Sequence, residues 1–249
     1  MGSRRVASAP TKLEFKEKYM NLPKISKRLE AAASFSRRGV RIADIGTDHA
    51  YLPIYLYATG AISGGVASDI NQGPVDRAKA NVRGWGADIE VLRTDGLCGI
   101  EAYAPDDIFI LGMGGELIAS ILADADWIRD SRYRLVLQPM THPEILRAYL
   151  YGNGFSIIDE VLVKEEKIYH VICAEYSGER YSASTCELFF GKRNIERGGG
   201  LLLELLARSR EIYEQRIEGK KKACADISEE AQMIEKINAL TEEIENDRT

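Results

Sequence analysis

The sequence of 249 residues lacks several features that would assign it to a specialised protein class. Its four cysteines form no Cys-x-x-Cys pair, which argues against a zinc site or a redox pair, so we expect reduced thiols and no metal. No apolar run approaches the roughly 18 residues of a membrane helix, and the first residues have no apolar core of the kind that secretory signals contain. These absences predict a cytoplasmic protein with no membrane partner.

Net charge is also small, because 33 lysines and arginines nearly balance 38 acidic residues and leave −5. Residues 24–41, however, carry six basic residues and one acid, Glu30. Such a cluster can follow a phosphate backbone on an otherwise acidic protein, since charges more than about 8 to 10 Å apart are largely screened from one another. The alternative is the solvated face of an amphipathic helix, and both interpretations stay open. The candidate substrate-binding cations are Lys27, Arg28, Arg37 and Arg38 in this stretch and Lys220, Lys221 and Lys222 further along the chain.

From residue 40 onward, short apolar runs alternate with helical stretches, which predicts βαβ units and a parallel sheet. The expected strands are residues 40–45, 65–70, 89–93, 108–113 and 134–138. Two β-rich runs joined by a polar turn follow at residues 155–176 and predict an antiparallel hairpin. The length permits one α/β domain of about 150 to 200 residues plus an appendage, and we place the domain at residues 20–178. Residues 1–19 lack periodicity and are interpreted as a flexible arm or an expression remnant.

Residues 179–249 are richer in charge and predict a coiled-coil hairpin of two long helices with a turn near residues 219–226. Each helix is expected to bury one apolar face. The residues that mark the two faces are Leu202, Leu205, Leu206, Ile212, Tyr213 and Ile217, then Ile227, Ala231, Ile234, Ile237 and Ile244.

The end of the first expected strand carries an acidic motif, Asp-Ile-Gly-Thr-Asp-His-Ala-Tyr-Leu-Pro, at residues 44–53. A strand that leads through a glycine turn into a helix presents backbone N–H groups at the edge where doubly wound folds bind nucleotides. The dinucleotide fingerprint requires three glycines, whereas only Gly46 is present here, and Asp48 would repel a phosphate. S-adenosyl-L-methionine fits this loop better, because it carries a sulfonium and an ammonium group and no phosphate.

Two further acids follow successive strands. Asp69 lies 23 residues after Gly46, about where an acid accepts hydrogen bonds from both ribose hydroxyls. Asp95, followed by Gly96, closes the third strand and can accept from an adenine amino group. Together with Asp44, these acids predict a row that faces the ligand.

Glycines after the fourth strand, at Gly112, Gly114 and Gly115 around Met113, would let a substrate come close to the backbone beside the methyl donor. A tight turn packed under a helix is the alternative for each glycine. After the fifth strand, Gln138 can hydrogen-bond a base edge, and Thr141 is the expected N-cap of the next helix. Five parallel strands followed by an antiparallel hairpin match the α/β, Rossmann-like, seven-stranded class I methyltransferase fold. A dehydrogenase sheet would continue in parallel.

Taken together, the motifs at residues 25–29, 44–53, 112–115 and 137–139, with Asp69 and Gly73-Pro74, resemble those of the bacterial tRNA (adenine-N1) methyltransferases that modify adenine 22. The resemblance runs from residue 24 to the carboxyl terminus. It implies a class I fold with a carboxyl-terminal coiled-coil hairpin that helps to hold tRNA, S-adenosyl-L-methionine as donor and tRNA as substrate. One departure is Met140, where the family often has Asn, so a side-chain contact from that position is in doubt.

Methylation of adenine N1 requires no base to remove a proton, because N1 of the neutral base has an available lone pair; the enzyme must expose and align it. The product is a cation that a carboxylate would stabilise, and we assign this role to Asp48. His49 and Tyr51 are expected to shape the site or to stack on the donor or the base, and a general-base role is the alternative for His49. A non-catalytic nucleotide-sensing module, whose coiled coil binds a protein partner, is the alternative function, and a small-molecule or protein methyltransferase is another. We expect a monomer that needs no protein partner.

Overall fold

The computed structural model describes residues 22–246. Its centre is a seven-stranded sheet in the order β3-β2-β1-β4-β5-β7-β6. The first five strands are parallel. At one side β7 pairs antiparallel with β5, and β6 pairs antiparallel with β7, so that only β7 runs against the other strands. The strands are β1 (Arg41–Ile45), β2 (Gly64–Asp69), β3 (Ile89–Arg93), β4 (Asp107–Gly114), β5 (Arg134–Thr141), β6 (Phe155–Lys164) and β7 (Ile168–Tyr176). The predicted class I architecture is confirmed.

Helices cover both faces of the sheet. In chain order they are α1 (Lys27–Ser34), α2 (Tyr51–Ala58), α3 (Gln72–Trp85), α4 (Gly115–Ala123), α5 (Pro143–Gly152), α6 (Thr185–Phe190), α7 (Lys192–Arg197), α8 (Gly200–Lys222) and α9 (Ser228–Asn246), with short 3₁₀ turns at Ile100–Tyr103 and Asp126–Ile128. Alternate residues of the central strands enter opposite cores: Ile108 and Ile110 face α4 and α5, whereas Phe109 faces α1 to α3. Burial on both faces explains why these strands appear as continuous apolar runs in the sequence.

The structure corrects the expected start of α5. Thr141 is the last residue of β5, and His142 occupies the N-cap position with a φ of 52° and no side-chain capping bond. The sheet therefore extends further than propensity predicts, because Thr141 pairs with Gly114 at the end of the β4–β5 ladder.

The predicted pair of long helices is present as α8 and α9, which are joined by the short segment 223–227 and therefore run antiparallel. Ile212 is 50% exposed, so its assignment to the apolar face is wrong. Met233 and Leu240 take part in the buried cluster instead, together with Leu206 and Ile237. Whether the helices pack as a coiled coil remains a prediction.

Two helices that the sequence analysis did not separate, α6 and α7, connect the sheet to this hairpin. Gly191, with a φ of 90°, stands between them, and both are only six residues long, too short for a clear periodic signal. Glu160 of β6 and Arg147 of α5 form a fully buried ion pair of 2.7 Å beside them. Arg147 also donates to the carbonyl of Leu188, so this pair links the sheet to the connecting helices.

Residues 1–19, interpreted as an arm or an expression remnant, lie outside the part of the chain that the structure describes. Within residues 22–246, no helix is long and apolar enough to span a membrane. The boundary between the two predicted domains at residues 178 and 179 remains a proposal.

Candidate active site

The predicted cofactor-binding residues lie at the carboxyl edge of the sheet. Strands β1 to β5 are mutually parallel, so the residues that follow them share one edge. Asp44, Asp69 and Asp95 lie at or directly after the ends of β1, β2 and β3. The row of acids that the sequence predicts is therefore a spatial arrangement as well as a sequence pattern.

Two glycine motifs that are far apart in the sequence meet in the loop after β1. Gly46 has a φ of 77°, and its N–H and that of Thr47 both donate to the Ser68 carbonyl at 2.8 Å. A Cβ on Gly46 would overlap the terminal methyl of Met113. Only glycine fits here, because the backbone is left-handed and the Met113 side chain lies against it.

Asp44, near the end of β1, contacts this loop through a hydrogen bond with Thr47. Its side chain is buried at 7% exposure, and burial raises its pKa from 3.8 to about 6, although a hydrogen bond with Thr47 acts in the opposite direction. Thr47 also accepts a hydrogen bond from the backbone N–H of Ala50 at 3.0 Å, and Ala50 itself has a φ of 55°. The loop is therefore held in an uncommon backbone conformation by contacts of its own residues.

The residues that follow this loop form one cluster at the protein surface, made of Asp48, His49 and Tyr51. His49 Nε2 lies 3.2 Å from Asp48 Oδ2, and the rings of His49 and Tyr51 stack with centroids 5.0 Å apart. Arg77 of α3 binds the other carboxylate oxygen of Asp48, and this hydrogen bond is the main cause that lowers the pKa of Asp48. Asp48 is thus held in its anionic form, as the proposed stabilisation of a cation requires.

A backbone hydrogen bond joins Asp69 to the loop that carries Asp95. Asp69 Oδ1 accepts from the N–H of Asn71 at 2.7 Å, and the Asp69 carbonyl accepts from the N–H of Thr94 at 3.1 Å. A cavity of about 590 Å³ opens beside Asp95 and Gly96. Its walls are Asp95, Gly96, Leu97, Cys98, Gly99, Glu101, Ala102, Ile121, Asp124 and Trp127. The space is bounded by Asp95 of the row, by the further acids Glu101 and Asp124, and by apolar groups.

Gln138 does not offer its amide to a base edge, as the sequence analysis expected. Its side chain is 1% exposed, its carbonyl oxygen accepts from Arg28 Nη1 at 2.7 Å, and its amide donates to the Pro139 carbonyl at 2.9 Å. Arg28, expected to contact phosphates, is in turn bound to Glu165 through its Nε and its backbone N–H. Burial and protein partners therefore remove both residues from the predicted substrate-binding set.

Arg37 is also placed differently from the expectation. Its Nε donates to the buried carboxylate of Asp107 at 2.6 Å, and Asp107 is the first residue of β4. Arg37 thus lies at the amino edge of the sheet, opposite the candidate site, and the adjacent Arg38 is exposed at the same edge. The basic stretch appears continuous in the sequence, but α1 divides it between the two edges.

The three lysines near the carboxyl end of α8 differ from one another. Lys220 pairs with Glu230 of α9 at 2.7 Å, whereas Lys221 and Lys222 are exposed at the tip of the hairpin. Lys27, the first residue of α1, is exposed as well. Of the predicted substrate-binding cations, Lys27, Lys221, Lys222 and Arg38 are exposed, and Arg38 lies at the amino edge, away from the candidate site.

Sequence reasoning missed Arg77 and Glu165. Arg77 is one of several cations on α3, and no motif singles it out. Glu165 belongs to the polar turn between β6 and β7, where charged residues are expected on solvent grounds alone. The contacts of both residues can be recognised only in the fold, which brings them to the carboxyl edge.

Comparisons with known proteins agree with this geometry. A model of the methyltransferase-domain family matches residues 25–172. The tRNA (adenine(22)-N(1))-methyltransferase of Bacillus subtilis (strain 168) is 42% identical over 167 residues, which cover 66% of this chain and 70% of the relative. The chain belongs to this methyltransferase family.

Solved structures of the family share the whole fold. The crystal structure of the B. subtilis m1A22 tRNA methyltransferase matches with a TM-score of 0.75 and 32% identity, over 90% of this chain and 98% of that one. A Streptococcus pneumoniae protein, described as a putative tRNA (m1A22) methyltransferase in complex with S-adenosyl-L-methionine, matches with a TM-score of 0.77 and 32% identity. That match covers 86% of this chain and 99% of the other. The resemblance inferred from the motifs is therefore confirmed.

Proposed function

We propose that this protein is an S-adenosyl-L-methionine-dependent methyltransferase that methylates N1 of adenine 22 in tRNA. The observation that carries the proposal is the 42% identity to a methyltransferase of that specificity. The geometry supports it, since three features lie together at the carboxyl edge: the Gly46 loop, the Asp48 cluster and the end of β4 at Gly112–Gly114.

The residues at this edge fit the methyl donor. At Gly46 the Met113 methyl occupies the space that a Cβ would take, so the chain turns here as glycine. The acids around this loop suit a cationic ligand better than a phosphate. Asp69 would accept from the ribose hydroxyls, Asp95 and Gly96 would border the adenine, and Asp44 and Gly46 would hold the methionine end. Gly112, Met113 and Gly114 complete the proposed cofactor-binding set. When bound, the donor supplies a methyl group activated by the positive charge on sulfur.

The protein's own contribution to catalysis is alignment and electrostatics. Adenine N1 attacks without losing a proton, so the site must hold the base in line with the methyl group and exclude water. Asp48 then stabilises the positive charge that develops on the base, as an anionic counterpart of an oxyanion hole. His49 and Tyr51, whose rings stack on each other, would form a wall of the base pocket.

For tRNA binding, Lys27 and the lysines at the hairpin tip, Lys221 and Lys222, remain as proposed phosphate contacts. A monomer in the cytoplasm, with no metal requirement, completes the proposal. Light scattering on a sizing column tests the monomer, and assays with and without a chelator test the metal.

The activity itself is tested by incubating the protein with labelled S-adenosyl-L-methionine and an unmodified tRNA transcript. We expect one methyl group per tRNA and a block to reverse transcription at position 22. The matched control is the same transcript with adenine 22 replaced by guanine, which should accept no label. Label on the control transcript at an equal rate would refute the position. A protein that binds the donor and methylates no tRNA would support the non-catalytic alternative.

A further inference from the structure

The carboxyl ends of β4 and β5 are joined by two bulges that compensate each other. Leu111 pairs with Gln138 and Met113 with Pro139, so Gly112 is an extra residue in β4. The next pair is Gly114 with Thr141, so Met140 is an extra residue in β5. Bulges of this kind occur beside active sites, where they redirect side chains. Here the first bulge directs Met113 onto Gly46 of the proposed donor loop.

Arg28 contacts both bulges from α1. Its Nη1 donates to Gln138 Oε1 at 2.7 Å and lies 3.3 Å from Met140 Sδ. The same Gln138 oxygen accepts the backbone N–H of Gly112 at 3.2 Å. This N–H belongs to the extra residue of β4, and the Gln138 side chain supplies its acceptor. The Arg28 guanidinium thus holds the Gln138 oxygen, which accepts the Gly112 N–H of the first bulge. The same guanidinium contacts the Met140 side chain of the second bulge.

The position of Arg28 is itself fixed by the turn between β6 and β7. Its backbone N–H and its Nε donate to Glu165 at 2.9 and 3.3 Å, and its guanidinium lies 5.2 Å from the ring centroid of Tyr169. Lys167 of the same turn donates to the Met140 carbonyl at 3.1 Å. With 25% of its side chain exposed, Arg28 has little surface left for a phosphate.

We propose that Arg28 is a positioning residue of the methyl transfer, which keeps β4 and β5 in their bulged register and so holds the end of β4, Gly112–Gly114, against the donor loop. This inference rests on the proposed function. A lysine cannot replace the arginine, because one guanidinium must serve Glu165, Gln138 and the Tyr169 ring at once, and an ammonium lacks this planar fork. At position 140, where the family often has Asn, this chain contacts Arg28 through the methionine sulfur.

The test compares Arg28→Lys and Arg28→Ala with the wild type in tRNA methylation at several salt concentrations. We expect kcat to fall at least tenfold in both variants, while KM for tRNA and its salt dependence stay within about twofold. Arg132→Ala removes an exposed arginine at the opposite edge and should behave as the wild type. A raised KM with a flatter salt slope, an unchanged kcat, or full activity of Arg28→Lys would overturn the proposal.

A double-mutant cycle with Gln138→Met tests whether Arg28 acts through Gln138. Because both changes break one chain of contacts, the double variant should lose no more kcat than the worse single variant, within about threefold. Multiplicative losses would contradict this chain of contacts.

A readout independent of activity is amide hydrogen exchange at Gly112, which should quicken at least tenfold in Arg28→Lys while exchange in β1 stays unchanged. Unchanged exchange at Gly112 overturns the inference, whereas a wild type without methylation would overturn the proposed function and leave the exchange result standing.

Discussion

Asp48 and Asp69 are both carboxylates at the carboxyl edge, but their surroundings differ. Asp48 is held by Arg77 and His49, beside the stacked ring of Tyr51. Asp69 is oriented by the N–H of Asn71 and lies next to the loop that carries Asp95. The first arrangement suits a charge that acts during the reaction, and the second suits a fixed hydrogen-bond acceptor for a bound ligand.

Substitution of these two acids should therefore separate turnover from donor binding. In Asp69→Ala, the dissociation constant of S-adenosyl-L-methionine should rise by about 10- to 150-fold, because hydrogen bonds to a charged group contribute roughly 1.5 to 3 kcal/mol. In Asp48→Ala, kcat should fall at least tenfold with a donor affinity within about threefold of the wild type. Calorimetry and single-turnover assays measure the two quantities, and each variant is the control for the other. The reverse pattern would exchange the two roles.

Asp44 makes stability depend on pH. Burial raises its pKa from 3.8 to about 6 in the folded state, so the folded protein binds more protons than the unfolded chain between these values. Its contribution to the free energy of unfolding therefore falls as pH rises from about 4 through 6, and the loss is complete above that range. The upper bound of this loss is about 3 kcal/mol, at 1.36 kcal/mol per pKa unit.

Replacing Asp44 by Asn should remove this pH dependence. The free energy of unfolding of Asp44→Asn minus that of the wild type should increase by about 1 to 3 kcal/mol between pH 4 and pH 7.5, because only the wild type loses stability over this range. Urea unfolding at both pH values measures the difference. An offset that is the same at the two pH values would show that the Asp44 carboxyl does not titrate as its burial indicates.

At the scale of elements, α1 divides the basic stretch between two edges of the sheet. Lys27 begins the helix on the side of Gln138 and Gly112, whereas Arg37 follows its end and binds Asp107 at the amino edge. A pattern of charges along a sequence cannot reveal this division. Only the crossing of the helix over the sheet decides which cations share an edge with the site.

Lys27→Ala and Arg38→Ala are matched variants for this division, because each removes one exposed positive charge. Lys27→Ala should raise KM for tRNA and reduce its salt slope by about one, the value expected for one lost phosphate contact. Arg38→Ala should leave both quantities unchanged. Steady-state kinetics between 50 and 200 mM salt, roughly the range over which such contacts weaken, distinguish them. Equal effects of the two variants would contradict the division.

For the molecule as a whole, the helical hairpin stands on the same side as the candidate site. Lys164, at the end of β6, pairs with Glu204 near the start of α8. The remaining 18 residues of α8 after Glu204 reach about 27 Å further, at 1.5 Å per residue. The lysine tip can therefore contact a part of a tRNA distant from the methylated base.

The tip should contribute to tRNA binding and not to chemistry. Lys221→Ala combined with Lys222→Ala is expected to raise KM for tRNA several-fold, to reduce its salt slope by up to about two, and to leave kcat unchanged. The control pair, Lys192→Ala with Lys236→Ala, removes equal charge near the connecting helices α6 and α7. A lower kcat with an unchanged KM in the tip variant would assign the hairpin a structural role in the active site.

The sequence by itself determined the architecture and the positions of the acids, because buried parallel strands and the turns after them have strong local patterns. Apolar runs located all seven strands, and Asp44, Gly46, Asp69 and Asp95 lie at or just after the ends of those strands in the structure. The assignment of Ile212 failed because its apolar character gives no information about which way the helix face turns. Thr141 failed because pairing with Gly114 outweighs its preference for an N-cap.

Tertiary structure alone decided the partners of the charged and amide side chains. In the sequence, Arg28, Arg37 and Gln138 are polar residues that could bind a substrate. In the structure, each is hydrogen-bonded to a side chain more than 65 residues away in the chain. Arg77 reaches Asp48 only because α3 packs beside the first loop. Local patterns determine where a strand ends and which residue stands there. The neighbours that neutralise, orient or bury that residue come from other elements, and only the folded chain brings them within hydrogen-bond distance.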